Sequence, residues 1–104
     1  MTTLKHATTN QVNELRGKVR IIDVREPSEW TGELGHVAEA ELIPLATVGN
    51  AATSWDKSAP IVCICRSGGR SGRAAELLVS MGFQDVTNMT GGMMAWSQAR
   101  LPVA

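Results

Sequence analysis

Pro60-Ile61-Val62-Cys63-Ile64 leads straight into Cys65-Arg66-Ser67-Gly68-Gly69-Arg70-Ser71, and from there into a helical pattern beginning near Ser71. Every residue of the first segment after its proline is apolar, which suits a strand buried on both faces and therefore central in its sheet. Past the loop, Ala74, Leu77, Leu78 and Met81 recur at i, i+3, i+4 and i+7, so one helix face is apolar, and Gly82 stops it. A doubly covered strand followed at once by such a helix points to an α/β architecture, with helices packed on a mostly parallel sheet.

The remainder of the chain repeats that alternation. Thr8-Thr9-Asn10-Gln11 reads as a capping box, with Val12 and Leu15 as the inward face of a short helix that ends at Gly17. Val19 to Val24 reads as a strand, and Pro27 suits the first turn of a short helix reaching Trp30, broken by Gly32 and Gly35. Glu41 to Leu45 is a weaker strand interrupted by Pro44, and a short helix is expected from Val48 to Ser54. Asp85 to Met89 reads as a further strand, and Gly91-Gly92 leads into a last helix over Met93 to Ala99. Strands and helices in this order form βαβ units with right-handed crossovers. The 104 residues are read as one domain, 1–104, without repeats or linkers.

In open α/β sheets ligands bind beyond the carboxyl ends of the strands, and Cys65 falls there. A strand-to-helix turn can aim consecutive N–H groups inward as an anion nest, and the helix that follows adds the positive end of its dipole. Arg66, Arg70 and Arg73 strengthen that field. A cysteine so placed is expected to have a depressed pKa and to act as a nucleophile with no general base beside it. Asp23 and Arg25, at the end of another strand, can reach the same rim.

Ten basic and ten acidic residues balance, which argues against nucleic acid, an anionic membrane or an acidic partner. No apolar run approaches the roughly 20 residues of a membrane span, and Met1 to His6 has no signal-peptide apolar core, so a soluble cytoplasmic protein is expected. Cys63 and Cys65, two apart on an extended backbone, are poorly set for a disulfide. With His6 and His36 distant in sequence, no zinc spacing is present and no metal is expected.

Four motifs in order then give the chain a close resemblance to the single-domain rhodanese family, the thiosulfate-type sulfurtransferases. They are Asp23-Val24-Arg25-Glu26 with Glu29-Trp30; Gly35-His36-Val37 with Ile43-Pro44-Leu45; the loop Cys65 to Ser71; and Gly91-Gly92-Met93-Met94-Ala95-Trp96 with Leu101-Pro102-Val103. The resemblance implies a five-stranded, mostly parallel sheet flanked by helices on both faces, with Leu4 near a short first strand. It implies that Cys65 takes a sulfane sulfur from a small anionic donor such as thiosulfate. Cys65 would hold it as a persulfide and pass it to an acceptor such as cyanide, a small thiol or a thiol protein, with no metal or organic cofactor. Arg66, Ser67, Gly68, Gly69, Arg70 and Ser71 form the rest of the substrate loop, and Arg66 and Arg70 attract the donor. The chain departs from the family pattern where Glu39 and Leu42 stand in place of the usual Gly and Asn, a change that bears on a turn outside the loop.

Two other readings compete. A phosphatase or arsenate reductase of related fold needs five residues between its cysteine and arginine; here Arg70 follows Cys65 after four, and Ser71 comes next. A persulfide carrier or partner-binding module without turnover would share the sequence. Outside the loop, Cys63 is read as a core residue, His36 as a structural hydrogen-bonding group, and Asp23 and Arg25 as polar support for the loop. Arg73 is read as solvated, Trp30 and Trp96 as packing on the sheet, Met93 and Met94 as filling core and surface, and Trp55 has no assigned role.

Overall fold

The computed structural model describes residues 4–104; Met1, Thr2 and Thr3, part of the stretch read for a signal peptide, lie outside them. In chain order the elements are β1 (Lys5–Ala7), α1 (Thr9–Leu15), β2 (Arg20–Asp23), α2 (Pro27–Trp30), β3 (Ala40–Leu42), α3 (Leu45–Ala51) with a 3-10 turn (Ala52–Ser54), β4 (Ile61–Ile64), α4 (Gly69–Ser80), β5 (Val86–Met89) and α5 (Gly92–Gln98). The five strands form one parallel sheet in the order β1-β5-β4-β2-β3, with β4 at its centre.

Side-chain alternation along the central strands divides the core in two. Ile61 and Cys63 of β4 pack with Ile22, Val24, Val48, Ala74, Leu78 and Phe83 on the α3/α4 side. Val62 and Ile64 point the other way, to Val12, Ile21, Met89, Met93 and Trp96 beneath α1 and α5. Both layers are fully covered, which accounts for the unbroken apolar run of β4. Cys65, one step beyond the strand, falls on the α3/α4 side with Cys63.

Local chemistry explains most element ends. Thr8 caps α1 as expected: its hydroxyl accepts from the Gln11 amide at 3.2 Å, and Gln11 Oε1 accepts from the Thr8 amide at 2.8 Å. Four details differ from the sequence reading. First, α3 begins at Leu45 and not Val48, because Pro44 presets the backbone at its N-cap (φ −51°), a signal stronger than the sparse apolar pattern that follows. Second, α4 begins at Gly69 and not near Ser71, and its buried stripe is Ser71, Ala74, Ala75 and Leu78, with Leu77 38% exposed beside Gly49.

Third, Trp30 does not pack on the sheet. Its ring stacks on His36 with centroids 3.7 Å apart, and its carbonyl oxygen lies 3.1 Å from His36 Nδ1. Trp96, in contrast, is fully buried and donates its Nε1–H to Pro102 O at 3.0 Å. Fourth, Trp55 gains a place, under the Arg20 guanidinium at 4.1 Å and edge-on to Phe83. The turn at Glu39 needs no glycine, since among the described residues Arg100 is the non-glycine with positive φ. Ala40 N closes that turn on Val37 O at 3.0 Å, and Glu39 pairs with Arg16 at 3.2 Å.

Candidate active site

Cys65 lies at the carboxyl end of the central strand, with the first turn of α4 wrapped over it. Gly68, in the left-handed region at φ 108°, turns the chain back so that its N–H meets Sγ at 3.0 Å. Ser71, buried in the first turns of α4, brings its Oγ to 3.3 Å from Sγ. Burial pushes the Cys65 thiol up, but the Ser71 hydroxyl and the amides of Ser71, Gly68 and Ser67 more than offset it, leaving the thiol below its ordinary value. Cys63 shows the opposite balance: burial, followed by the neighbouring Cys65 charge, pushes it up to about 12. Both cysteines are free, and Cys63 is fully buried within β4.

The loop is braced from two sides. On one side α5 closes on it: Met93 N donates to Cys65 O at 2.8 Å and Met94 N to Arg66 O at 3.0 Å. Gly92, at φ 59°, permits that approach, since a Cβ there would lie 2.6 Å from Cys65 O and closer still to the Arg66 carbonyl group. On the other side stands a chain of charged groups that starts at β2. Asp23 and Arg25 are buried, and Arg25 lays its Nε and Nη2 on the Asp23 carboxylate at 2.7–3.1 Å. The same guanidinium donates to Glu29 O at 3.2 Å and Gly35 O at 2.8 Å, fixing α2 and the segment after it. Glu29 then takes Arg70 in a two-point contact at 2.7 and 2.8 Å.

This arrangement sets the two loop arginines apart. Arg70 is not a free cation at the loop mouth, because its fork is spent on Glu29. Arg66 is exposed, forms no ion pair among the described residues, and borders a cleft of about 240 Å³ with Ser28, Glu29, Gly32 and Glu33 across from it. A larger hollow of about 340 Å³ lies by edge strand β1, lined by Lys5, His6 and Glu14; it holds no cysteine, so chemistry and not volume selects the site. Arg73 is exposed, as expected of a solvated residue.

Three residues with a place in the site had no role in the sequence reading. Glu29 sat within a recognised motif without an assigned partner, and Gly92 was read only as a helix boundary. Asn88 is a buried amide on β5 that touches both Ser71 and Gly68. The sequence reading placed Asn88 within a strand but gave it no partner.

The Arg70 guanidinium beside Glu29 holds that carboxyl down at about 2, from an ordinary 4.5. A carboxyl whose pKa is depressed on folding contributes stability above its unfolded value and loses it as pH falls through the folded one. The coupling between the two side chains, expected at about 1 kcal/mol for a partly exposed pair, should therefore be whole above pH 4.5 and vanish toward pH 2. A double-mutant cycle with Glu29→Gln and Arg70→Ala, followed by denaturant unfolding across that range, measures it.

Fold and site together define a class: a parallel α/β domain that holds a cysteine within a ring of N–H and O–H donors at the carboxyl end of its central strand. Residues 8–99 match the rhodanese-like domain family, and the chain belongs to it. It is 35% identical over 97 residues to the thiosulfate sulfurtransferase GlpE of Pseudoalteromonas translucida, covering 91% of this chain and 90% of that protein. It is 34% identical over 100 residues to the uncharacterized protein slr1261 of Synechocystis sp., covering 96% of this chain but only 54% of that longer protein. Among solved structures it resembles a rhodanese-like domain protein from Staphylococcus aureus with TM-score 0.81 and 31% identity, over 96% of this chain and 98% of that one.

Proposed function

We propose that the protein is a sulfurtransferase that moves a sulfane sulfur from a small anionic donor such as thiosulfate to a thiophilic acceptor through a Cys65 persulfide. The observation that carries this reading is the convergence of loop donors on Sγ at the floor of the loop, with Cys65 only 1% exposed. A floor so recessed favours a slim terminal atom, such as the outer sulfur of thiosulfate, over a bulky electrophile. The Cys65 thiolate attacks that sulfur; the S–S bond of the donor breaks, its electron pair leaves with sulfite, and a cysteine persulfide anion remains. Cyanide, or a thiolate in its place, then attacks the outer sulfur and returns Cys65 as thiolate. No proton has to be supplied in either half, in keeping with a loop that offers N–H donors and no general base.

The Asp23–Arg25–Glu29–Arg70 chain is assigned to holding the loop, and Arg66 to meeting the anionic donor. Losing one charge-assisted contact should weaken donor binding about tenfold. Arg66→Ala is therefore expected to raise the KM for thiosulfate by about that factor with a smaller change in kcat, whereas Arg70→Ala should lower kcat and thermal stability together. Steady-state kinetics with thiosulfate and cyanide decide it, and an unchanged KM in Arg66→Ala would remove that residue from the donor site. The reading assigns the protein to the cytoplasm, where thiols stay reduced; among the described residues no helix is long and apolar enough to cross a membrane.

A further inference from the structure

The Ser71 hydroxyl carries one proton and faces two acceptors. Its Oγ lies 2.6 Å from Asn88 Oδ1 and 3.3 Å from Cys65 Sγ. The orientation of the Asn88 amide is fixed from its other end, where Nδ2 donates to Gly68 O at 3.2 Å; turning the amide over would set its oxygen against that carbonyl. Asn88 is 7% exposed, and Ser71 is the donor its oxygen has among the described residues. Two arrangements of one proton follow. When Sγ is uncharged, the hydroxyl donates to Asn88 over the shorter distance. When Sγ is a thiolate, the hydroxyl turns to sulfur, and a buried amide oxygen is left without a donor.

We propose that Asn88 is a positioning residue that competes with the Cys65 sulfur for the single Ser71 proton, so that the hydroxyl swings back to Asn88 as charge leaves Sγ. In sulfur transfer, charge leaves Sγ at the moment the new S–S bond forms, because the persulfide carries its charge on the outer sulfur. Asn88 thereby favours the states in which Sγ is uncharged, the thiol and the persulfide, over the thiolate. A thiolate held less tightly is the better nucleophile. The loop itself does not depend on this amide alone, since Gly68 O also accepts from Gly72 N at 3.1 Å. The charged and titratable groups around the sulfur are Arg66 in the loop, Arg70 paired with Glu29, the Arg25–Asp23 pair at the end of β2, and Cys63 on β4; β5 and α5 supply none. A change at Asn88 leaves all of them in place.

The test is the pH dependence of Cys65 alkylation by iodoacetamide in the full chain, for the wild type, Asn88→Ala and Asn88→Val, each with and without Ser71→Ala. It needs no sulfur donor, so its failure and a failure of the sulfurtransferase reading are separate results. With the competitor removed, Ser71 donates to the thiolate without opposition. Alkylation on the acid side of the profile should then be about fivefold faster, the equivalent of one neutral hydrogen bond, with a lower plateau at high pH. In the Ser71→Ala background the same Asn88 substitutions should leave the profile in place. A profile that stays put or moves to higher pH on Asn88 substitution, or one that moves equally without Ser71, overturns the proposal. In the unsubstituted protein, the Asn88 side-chain amide resonances should titrate with the same midpoint as Cys65 alkylation, and resonances that stay constant through that midpoint would contradict it.

Discussion

Cys65→Ser and Cys65→Ala are expected to lower thiosulfate:cyanide transfer by on the order of a thousandfold or more, the scale of deleting an attacking nucleophile, while Cys63→Ala keeps most of the rate. The two thiols are separated by one residue of the same strand end, yet their surroundings oppose each other. Around Cys65, N–H and O–H donors converge on sulfur and outweigh burial, so the thiol is held below its ordinary value and the thiolate is easier to form. Around Cys63 there is packed aliphatic core, and the thiol is pushed up to about 12, out of reach of ionisation at neutral pH. Serine at position 65 retains the shape but not the chemistry, since its hydroxyl does not ionise under the same donors. Steady-state rates of the three variants, with circular dichroism to confirm folding, check this. A Cys65 variant that retains transfer would remove the nucleophile from the mechanism.

The second large effect is expected at Gly92→Ala. A methyl group there meets two carbonyl groups of the loop, and backbone cannot step aside as the tip of a flexible side chain can. The residue also occupies φ 59°, a conformation that costs alanine energy. Together these should destabilise the fold by about 2–4 kcal/mol in denaturant unfolding. The protein that remains folded should lose transfer activity, because α5 can no longer close on Cys65 O and Arg66 O. Gly69, where an added Cβ meets nothing within 4 Å, is the matched control, and Gly69→Ala should cost far less. Equal losses at the two positions would show that the close approach of α5 is not what seats the loop.

The architecture was legible because its signals are local and dense. The run Ile61 to Ile64 suits a doubly covered strand, Thr8 and Gln11 mark a helix start by side-chain chemistry, and Pro27 sets the entry to α2. Boundaries shifted where a backbone preference competed with apolar spacing, as at Pro44 and Gly69. Within the site, Cys65 and its loop lie in one contiguous stretch, and contiguous chemistry can be read from a sequence. The groups that orient them come from elsewhere: Glu29 reaches Arg70 across 41 positions and Asn88 reaches Ser71 across 17. Nothing in the spacing of such residues announces a contact that only the fold creates. The Arg70–Glu29 pair was not legible for that reason, since the partner is on another helix.

The central claim is that sulfur rests on Cys65 between the two half-reactions. Intact-mass measurement of the reduced protein after incubation with thiosulfate tests it most directly. A gain of about 32 Da, one sulfur atom, that disappears on adding cyanide or dithiothreitol and never forms in Cys65→Ala, is the predicted result. An unchanged mass in a protein that still turns thiosulfate over, or a gain that persists in Cys65→Ala, would contradict it.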